Sequence, residues 1–216
     1  LLRFAATDRQ QLALVELPVP DQSTPVTAQD GSLLLSHSAL DLIAVLLPGD
    51  GQVQLRIGDD QVDFLIDGLA VRCRLQDDLY PDYAPIVNIE TTRRVELSRR
   101  KLAAAVERVA IMAKRVGAAT VWMQLGTDEV RVRATDLEIG EAIETRPASI
   151  SGDACELGLY LWGFLAIVRR LRGNNLIIEF GHPDKPITLY TAEHPMFRYH
   201  LMPLTTSPPP SRITNQ

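Results

Sequence analysis

Apolar and polar positions alternate along most of this chain, and that period of two predicts short strands half-covered by a core. Val53-Gln54-Leu55-Arg56-Ile57 and Val130-Arg131-Val132 are clear instances. Alternation of this kind belongs to antiparallel sheet with one wet face, so helices must cover the other. Strands are expected at Leu12–Val15, Val53–Ile57, Gln61–Ile66, Leu69–Leu75, Thr120–Leu125, Glu129–Ala134, Ile139–Ile143, Leu176–Phe180, Pro186–Thr191 and Phe197–Leu201. The period switches to that of a helix at 97–116, where Leu102, Val106, Val109, Ala113 and Val116 fall on one arc. Ser98 is the expected N-cap of that helix and Gly117 its stop signal. Ser32–Leu47 and Glu156–Leu171 each read as a short strand running into a helix.

These elements occur twice. Phe4-Ala5-Ala6-Thr7-Asp8 returns 128 residues later as Val132-Arg133-Ala134-Thr135-Asp136. The strand-to-helix segments and the three strands that follow them repeat at a similar offset. Both copies close on an apolar-proline pair, Tyr80-Pro81 and Met202-Pro203. A repeat of this length is one structural module used twice. The second copy opens with the 97–116 helix, and nothing matching it precedes the first copy. The expectation is therefore an α+β chain of tandem modules: a partial one at 1–90, a complete one at 91–204 and a Pro-rich tail at 205–216.

Composition removes several functions. The 216 residues are 46% hydrophobic and 23% charged, which is ordinary for a globular protein. No apolar run is long enough to suggest a membrane span. Two cysteines, Cys73 and Cys155, make neither a disulfide framework nor a metal spacing, so a reducing cytosol is the default compartment. The net charge of −5 disfavours a freely adhesive nucleic-acid binder but allows a local basic stripe.

Catalytic signatures are lacking. There is no phosphate-binding glycine loop, no His-Glu-x-x-His and no Cys-x-x-Cys. The four histidines, His37, His182, His194 and His200, are scattered, so neither a metal nor another cofactor is expected. Asp8 and Asp136 occupy equivalent positions in the repeat. Two catalytic carboxylates are conceivable there, but the same turn built twice is the better reading, with each Asp satisfying backbone donors.

Three surface features remain. On the 97–116 helix, Lys101, Arg108 and Arg115 are spaced by seven, about 120° from the core stripe. Such a stripe is either a solvated face or a row of phosphate contacts. Arg169 and Arg170 close the later helix, where cations suit the helix dipole and could also meet phosphate. Ile111 lies roughly opposite the core stripe, with Met112 beside the basic stripe; an apolar residue there is either a tolerated surface residue or part of a subunit contact. Pro and apolar residues also gather at the module ends, a composition that suits docking of a short peptide.

Five segments also carry a resemblance. Ala5-Ala6-Thr7-Asp8 with Leu12-Ala13, Leu79-Tyr80-Pro81-Asp82-Tyr83, Ala105 to Ile111, Leu157 to Leu161 and Tyr199 to Leu204 occur in the order seen in bacterial DNA polymerase III beta sliding clamps. The resemblance spans about residues 3–204. It implies a clamp fold, with the first module and the opening half of the second missing. It also implies a non-catalytic homodimeric ring that encircles duplex DNA in the cytoplasm. The ring would bind replicative polymerase, clamp loader and repair proteins through short peptides. The positions matching the family's peptide pocket are Thr7, Gln10, Gln11, Leu12, Pro81, Ile86, His200, Met202, Pro203 and Leu204. Those matching the subunit contact are Ile111 and Met112, with Glu141 and Glu144 on an edge strand around 138–144. The chain departs from the family pattern at Arg9-Gln10-Gln11, where Gly-His-Arg is usual, and at Pro85, where an arginine is usual. The alternative is a clamp-fold adaptor that binds peptides without encircling DNA.

Overall fold

The computed structural model describes residues 2–18, 32–47, 49, 52–113, 119–136 and 138–205. It falls into two compact units, one made of the first 19 residues with Tyr83 onward, the other of Pro20–Asp82. Lys114 to Ala118 lie outside the described residues, and with them Arg115, Val116 and the stop signal at Gly117. So does the tail from residue 206 onward.

In the larger unit, β1 (Leu2–Thr7) and β2 (Gln11–Leu17) form a hairpin. After the single turn α2 (Ala84–Val87) come β6 (Arg93–Ser98) and α3 (Arg99–Ala113). The chain then runs through β7 (Thr120–Leu125), β8 (Glu129–Asp136), β9 (Gly140–Pro147), β10 (Ser149–Ser151) and β11 (Cys155–Tyr160). It ends with α4 (Leu161–Arg170), β12 (Asn175–Phe180), β13 (Ile187–Thr191) and β14 (His194–Leu201). The smaller unit holds α1 (His37–Leu46) and the three-stranded sheet β3 (Gln54–Ile57), β4 (Gln61–Ile66) and β5 (Leu69–Arg74).

The larger unit has two antiparallel sheets. One has seven strands in the order β1-β2-β14-β13-β12-β6-β10, and the other has four in the order β11-β7-β8-β9. Their apolar faces share one core with the buried sides of α3 and α4. Val95, Leu97, Leu176, Ile178, Ile187 and Leu189 contribute from the first sheet. Val121, Met123, Val130, Val132, Leu157 and Leu159 contribute from the second. Four members of the α3 arc predicted from periodicity, Leu102, Val106, Val109 and Ala113, are at most 2% exposed. In the smaller unit Ile43, Val62, Ile66 and Cys73 form a separate small core.

The fold is α+β as the alternation requires, with these departures. Residues 32–36 form no strand; they lead into α1, where the Ser36 side chain caps by accepting from the Ala39 amide at 3.2 Å. Ser98 ends β6, paired with Asn175, and α3 begins directly after it. The sheet also runs across the module boundary expected near residue 90. β2 pairs with β14 from Val15 opposite Phe197 to Gln11 opposite Leu201. Local periodicity carries no signal for a ladder between the two ends of a chain.

Both copies of Ala-Thr-Asp build the same turn. Asp8 Oδ1 accepts from the amides of Gln10 and Gln11 at 2.9 and 2.8 Å. Asp136 Oδ1 accepts from Glu138 and Ile139 at 2.8 and 3.0 Å. The repeat thus extends to individual hydrogen bonds, and both carboxylates are used in holding hairpins. The amides and the Gln11 side chain also hold the Asp8 carboxyl below its ordinary range, outweighing the effect of burial, which pushes it up.

Candidate protein and nucleic-acid interfaces

Three groups of residues can be built up from this framework. The first gathers where the β1–β2 turn meets the end of β14. Thr7 donates from Oγ1 to the Gln11 carbonyl at 2.8 Å, and Gln11 Nε2 donates to Asp8 Oδ2 at 2.9 Å, so the turn is braced from both sides. Arg9 takes the left-handed conformation, φ 73°, at the position where the resembling family carries glycine. A side chain there costs about 1 kcal/mol, and the Arg9 amide is held by Thr7 Oγ1 at 3.1 Å. His200 lies opposite Leu12, the Met202 amide donates to the Gln10 carbonyl at 3.3 Å, and the Leu204 amide donates to Gly158 at 2.7 Å. Thr7, Gln10, Gln11, Leu12, His200, Met202 and Leu204 are thereby tied to one corner of the molecule.

Exposure divides that group. Met202 is 41% exposed and Gln10 is exposed, whereas Leu12, His200 and Pro203 are buried. Leu12 and His200 therefore lie beneath the surface, where an open groove lining was expected. Ile86 is half-buried on α2; Tyr83, just before that turn, hydrogen-bonds Arg3 of β1. Pro81 is exposed and belongs to the smaller unit.

His200 was expected only as a pocket residue, and its environment is unusual. Nδ1 lies 3.1 Å from Thr188 Oγ1, and Nε2 is buried with no partner among the described residues. Burial, helped by the Arg198 charge, pulls its pKa down to about 4, so the ring is neutral at pH 7.

The second group is the helical face. Lys101 is exposed and makes no ion pair among the described residues. Arg108 forks onto Glu144 through Nε and Nη2. Arg169 pairs with Glu107 at 2.8 Å, and Arg170 is exposed beside it. Two of these cations are thus partly neutralised by their own neighbours, which makes the stripe weaker than its sequence suggests. Arg99, which the sequence reading did not single out, donates to the Val168 and Gly173 carbonyls at 3.0 and 2.7 Å. It binds the start of α3 to the end of α4.

The third group is the free edge of the four-stranded sheet. Ile111 is 61% exposed and Ile139 53% exposed, while Met112 packs on the core beside Gly140. Glu144 is committed to Arg108 and Arg146. Glu141, expected at a subunit contact, points elsewhere. Its side chain is 1% exposed and accepts from Arg133 Nη1 at 3.0 Å, while Arg133 Nη2 donates to Glu156 at 3.0 Å. This buried triad was missed. The sequence gives it no trace, because alternation along β8 puts Arg133 on the face away from Val132 and Ala134, where a charged side chain looks ordinary. Burial works against the Arg133 charge, but the hydrogen bonds it donates to Glu156 and Glu141 carry its pKa above the ordinary value.

A family model described as the DNA polymerase III beta subunit, C-terminal domain, matches residues 87–205. The beta sliding clamp of Caulobacter vibrioides is 25% identical over 205 residues, covering 94% of this chain and 54% of that protein. Among solved structures, the DNA polymerase III beta subunit of Thermotoga maritima has a TM-score of 0.85 at 18% identity, over 95% of this chain and 55% of its own. A Bartonella birtlesii sliding clamp bound to griselimycin has a TM-score of 0.80 at 20% identity, over 94% and 54%. The present chain spans about half the length of the relatives it matches.

Proposed function

The chain belongs to the DNA polymerase III beta subunit family, in its C-terminal domain, and from that premise we propose that it is the later part of a sliding-clamp subunit. Such a subunit encircles duplex DNA as a homodimeric ring and tethers polymerase, clamp loader and repair proteins; it acts as a scaffold, with no chemistry of its own. On this reading residues 1–90 complete a middle module and 91–204 form the last one.

One observation carries the proposal. The β1–β2 hairpin is the repeat counterpart of β8–β9, and β2 is hydrogen-bonded along β14 of the following module. β9 is the counterpart of β2, yet it is the outer strand of its sheet. A module thus presents β9 to the next module's last strand, in the way that β2 already meets β14. Contacts of this head-to-tail kind close into rings when the rotation permits. Ile111 and Ile139 supply apolar surface beside that edge, and Lys101, Arg108, Arg115, Arg169 and Arg170 supply weak, sequence-independent phosphate contacts.

The test is a chimaera that places the N-terminal half of the Caulobacter vibrioides relative before Leu2. It is expected to sediment as a dimer and to remain on circular DNA but slip from linear DNA. Ile111→Asp with Ile139→Asp, both on exposed positions, should leave it monomeric. A monomeric chimaera with the edge intact would overturn the proposal.

Partner peptides are proposed to dock where Met202, Gln10, Gln11, Thr7, Leu204 and Ile86 are accessible, with Leu12, His200 and Pro203 supporting them. Exposed apolar anchors of this type dominate affinity. Met202→Ala is expected to weaken griselimycin binding about tenfold without changing the melting temperature, as measured by calorimetric titration. Equal affinities would remove Met202 from the site.

A further inference from the structure

The solvent face of α4 joins aromatic and cationic groups that the sequence reading left apart. Trp162 is 40% exposed and Tyr160, just ahead of the helix, is 36% exposed. Gly163 makes room for Tyr160: a Cβ there would sit 3.1 Å from its ring. Along the same helix, Arg169 follows Trp162 by seven residues, within about 20° of the same direction, and Arg170 follows by eight, about 12 Å along the axis. Arg172 lies just beyond, and Arg100 and Lys101 open α3, which Arg99 binds to this end of α4. Arg169 is held by Glu107; Arg170, Arg172, Arg100 and Lys101 are exposed and form no ion pair among the described residues.

A single exposed aromatic is commonplace. Two of them at the start of a helix, one just ahead of it and one on its first turn, with cations at its other end, in a protein of net charge −5, form a particular combination. Cations hold the backbone of a nucleic-acid strand while an aromatic ring takes the face of a base. In a duplex the base faces are already stacked on one another, so an indole on a helix surface finds no face to cover. The aromatic end therefore discriminates in favour of an unpaired strand.

We propose that Trp162, with Tyr160 beside it and the arginines at the end of α4, is a stacking platform for an unpaired base of single-stranded DNA. The proposal rests on the reading of this helical face as the one that meets DNA, and adds to it a preference for the unpaired strand.

The 216-residue chain itself provides the probe. It has two tryptophans, and Trp122 is only 6% exposed, so quenching by added DNA reports mainly on Trp162. Titration with a thymidine oligonucleotide at low salt should quench the fluorescence to saturation, and rising salt should weaken the effect. Trp122→Phe should keep the response. Trp162→Leu should bind a labelled thymidine oligonucleotide about tenfold more weakly, with an unchanged melting temperature. No saturable quenching, equal quenching by a hairpin duplex, or undiminished binding by Trp162→Leu would each overturn the proposal. The chimaera's retention on circular DNA reads the clamp function independently of Trp162, so failure of one does not count as failure of the other.

Discussion

Arg133→Met should cost about 3–5 kcal/mol of stability. The substitution keeps an unbranched apolar stem but removes the cation between two carboxylates. Glu141 is almost wholly covered and Glu156 is about three-quarters covered. Breaking a buried pair from one side leaves a charge without compensation, which is worse than never having built it. Two carboxylates deprived of one shared cation must then either repel each other or take up a proton. Replacing all three members with apolar residues of similar volume should recover most of the loss, since the desolvation cost disappears with the charges. Urea unfolding followed by Trp122 fluorescence is the direct measurement, because Trp122 lies across the ladder from Arg133 and beside Gly158. That indole fits because Gly158 has no side chain: a Cβ would come within 2.7 Å of the ring. A loss under about 1 kcal/mol would mean that the triad is solvated and behaves as an ordinary surface pair.

Between pH 6.5 and 4 the protein should lose about 3 kcal/mol of stability through His200 alone. The sign follows from proton binding. In the unfolded chain His200 takes up its proton near its ordinary pKa of 6.5; in the fold it stays neutral until about pH 4. Across that interval the unfolded state binds more protons, so stability falls as pH falls and levels off once the folded state is protonated too. The carboxyls of Asp8, Glu144 and Glu193, held below their ordinary range, lose their contributions at lower pH, so the two effects separate on the pH axis. His200→Leu removes the titrating group and the unpartnered Nε2 together. It should flatten the stability profile from pH 6.5 to 4 while changing stability little at pH 8. Chemical denaturation at intervals along this range decides it. An unchanged slope in the variant would place the acid sensitivity elsewhere.

What could be read from the sequence was local or repeated. The strand at Gln61–Ile66 and the buried arc of α3 follow from period alone, and the turns at Asp8 and Asp136 follow from one motif occurring twice. β6 and β10 were not anticipated. Val95 and Leu97 alternate along β6, but Leu97 and Ser98 also fit the start of the helical stretch that follows, and β10 is three residues long. The site residues were legible in part, because a resemblance assigns positions without saying how deep a side chain lies. It placed Leu12 and His200 at the groove, whereas burial depends on what packs above them. It placed Glu141 at an edge, whereas its direction depends on Arg133, eight residues earlier on the neighbouring strand. The paired state of Arg108 and Arg169 was likewise invisible, since Glu144 and Glu107 come into reach only after the helices dock.

The ladder between β2 and β14 also sets an order of events during synthesis. Leu12 emerges from the ribosome long before its partner His200. At ~5–20 residues per second, the first hairpin waits roughly 10–40 s for the strand that completes its sheet. Through that interval the β2 edge has open backbone donors and acceptors, and Leu12 and Leu14, buried in the finished fold, lack their final cover. Closing so long a loop costs more entropy than any local contact in the molecule, so this seam closes late. The nascent chain is therefore most exposed to mispairing along β2 while β14 is still to be made.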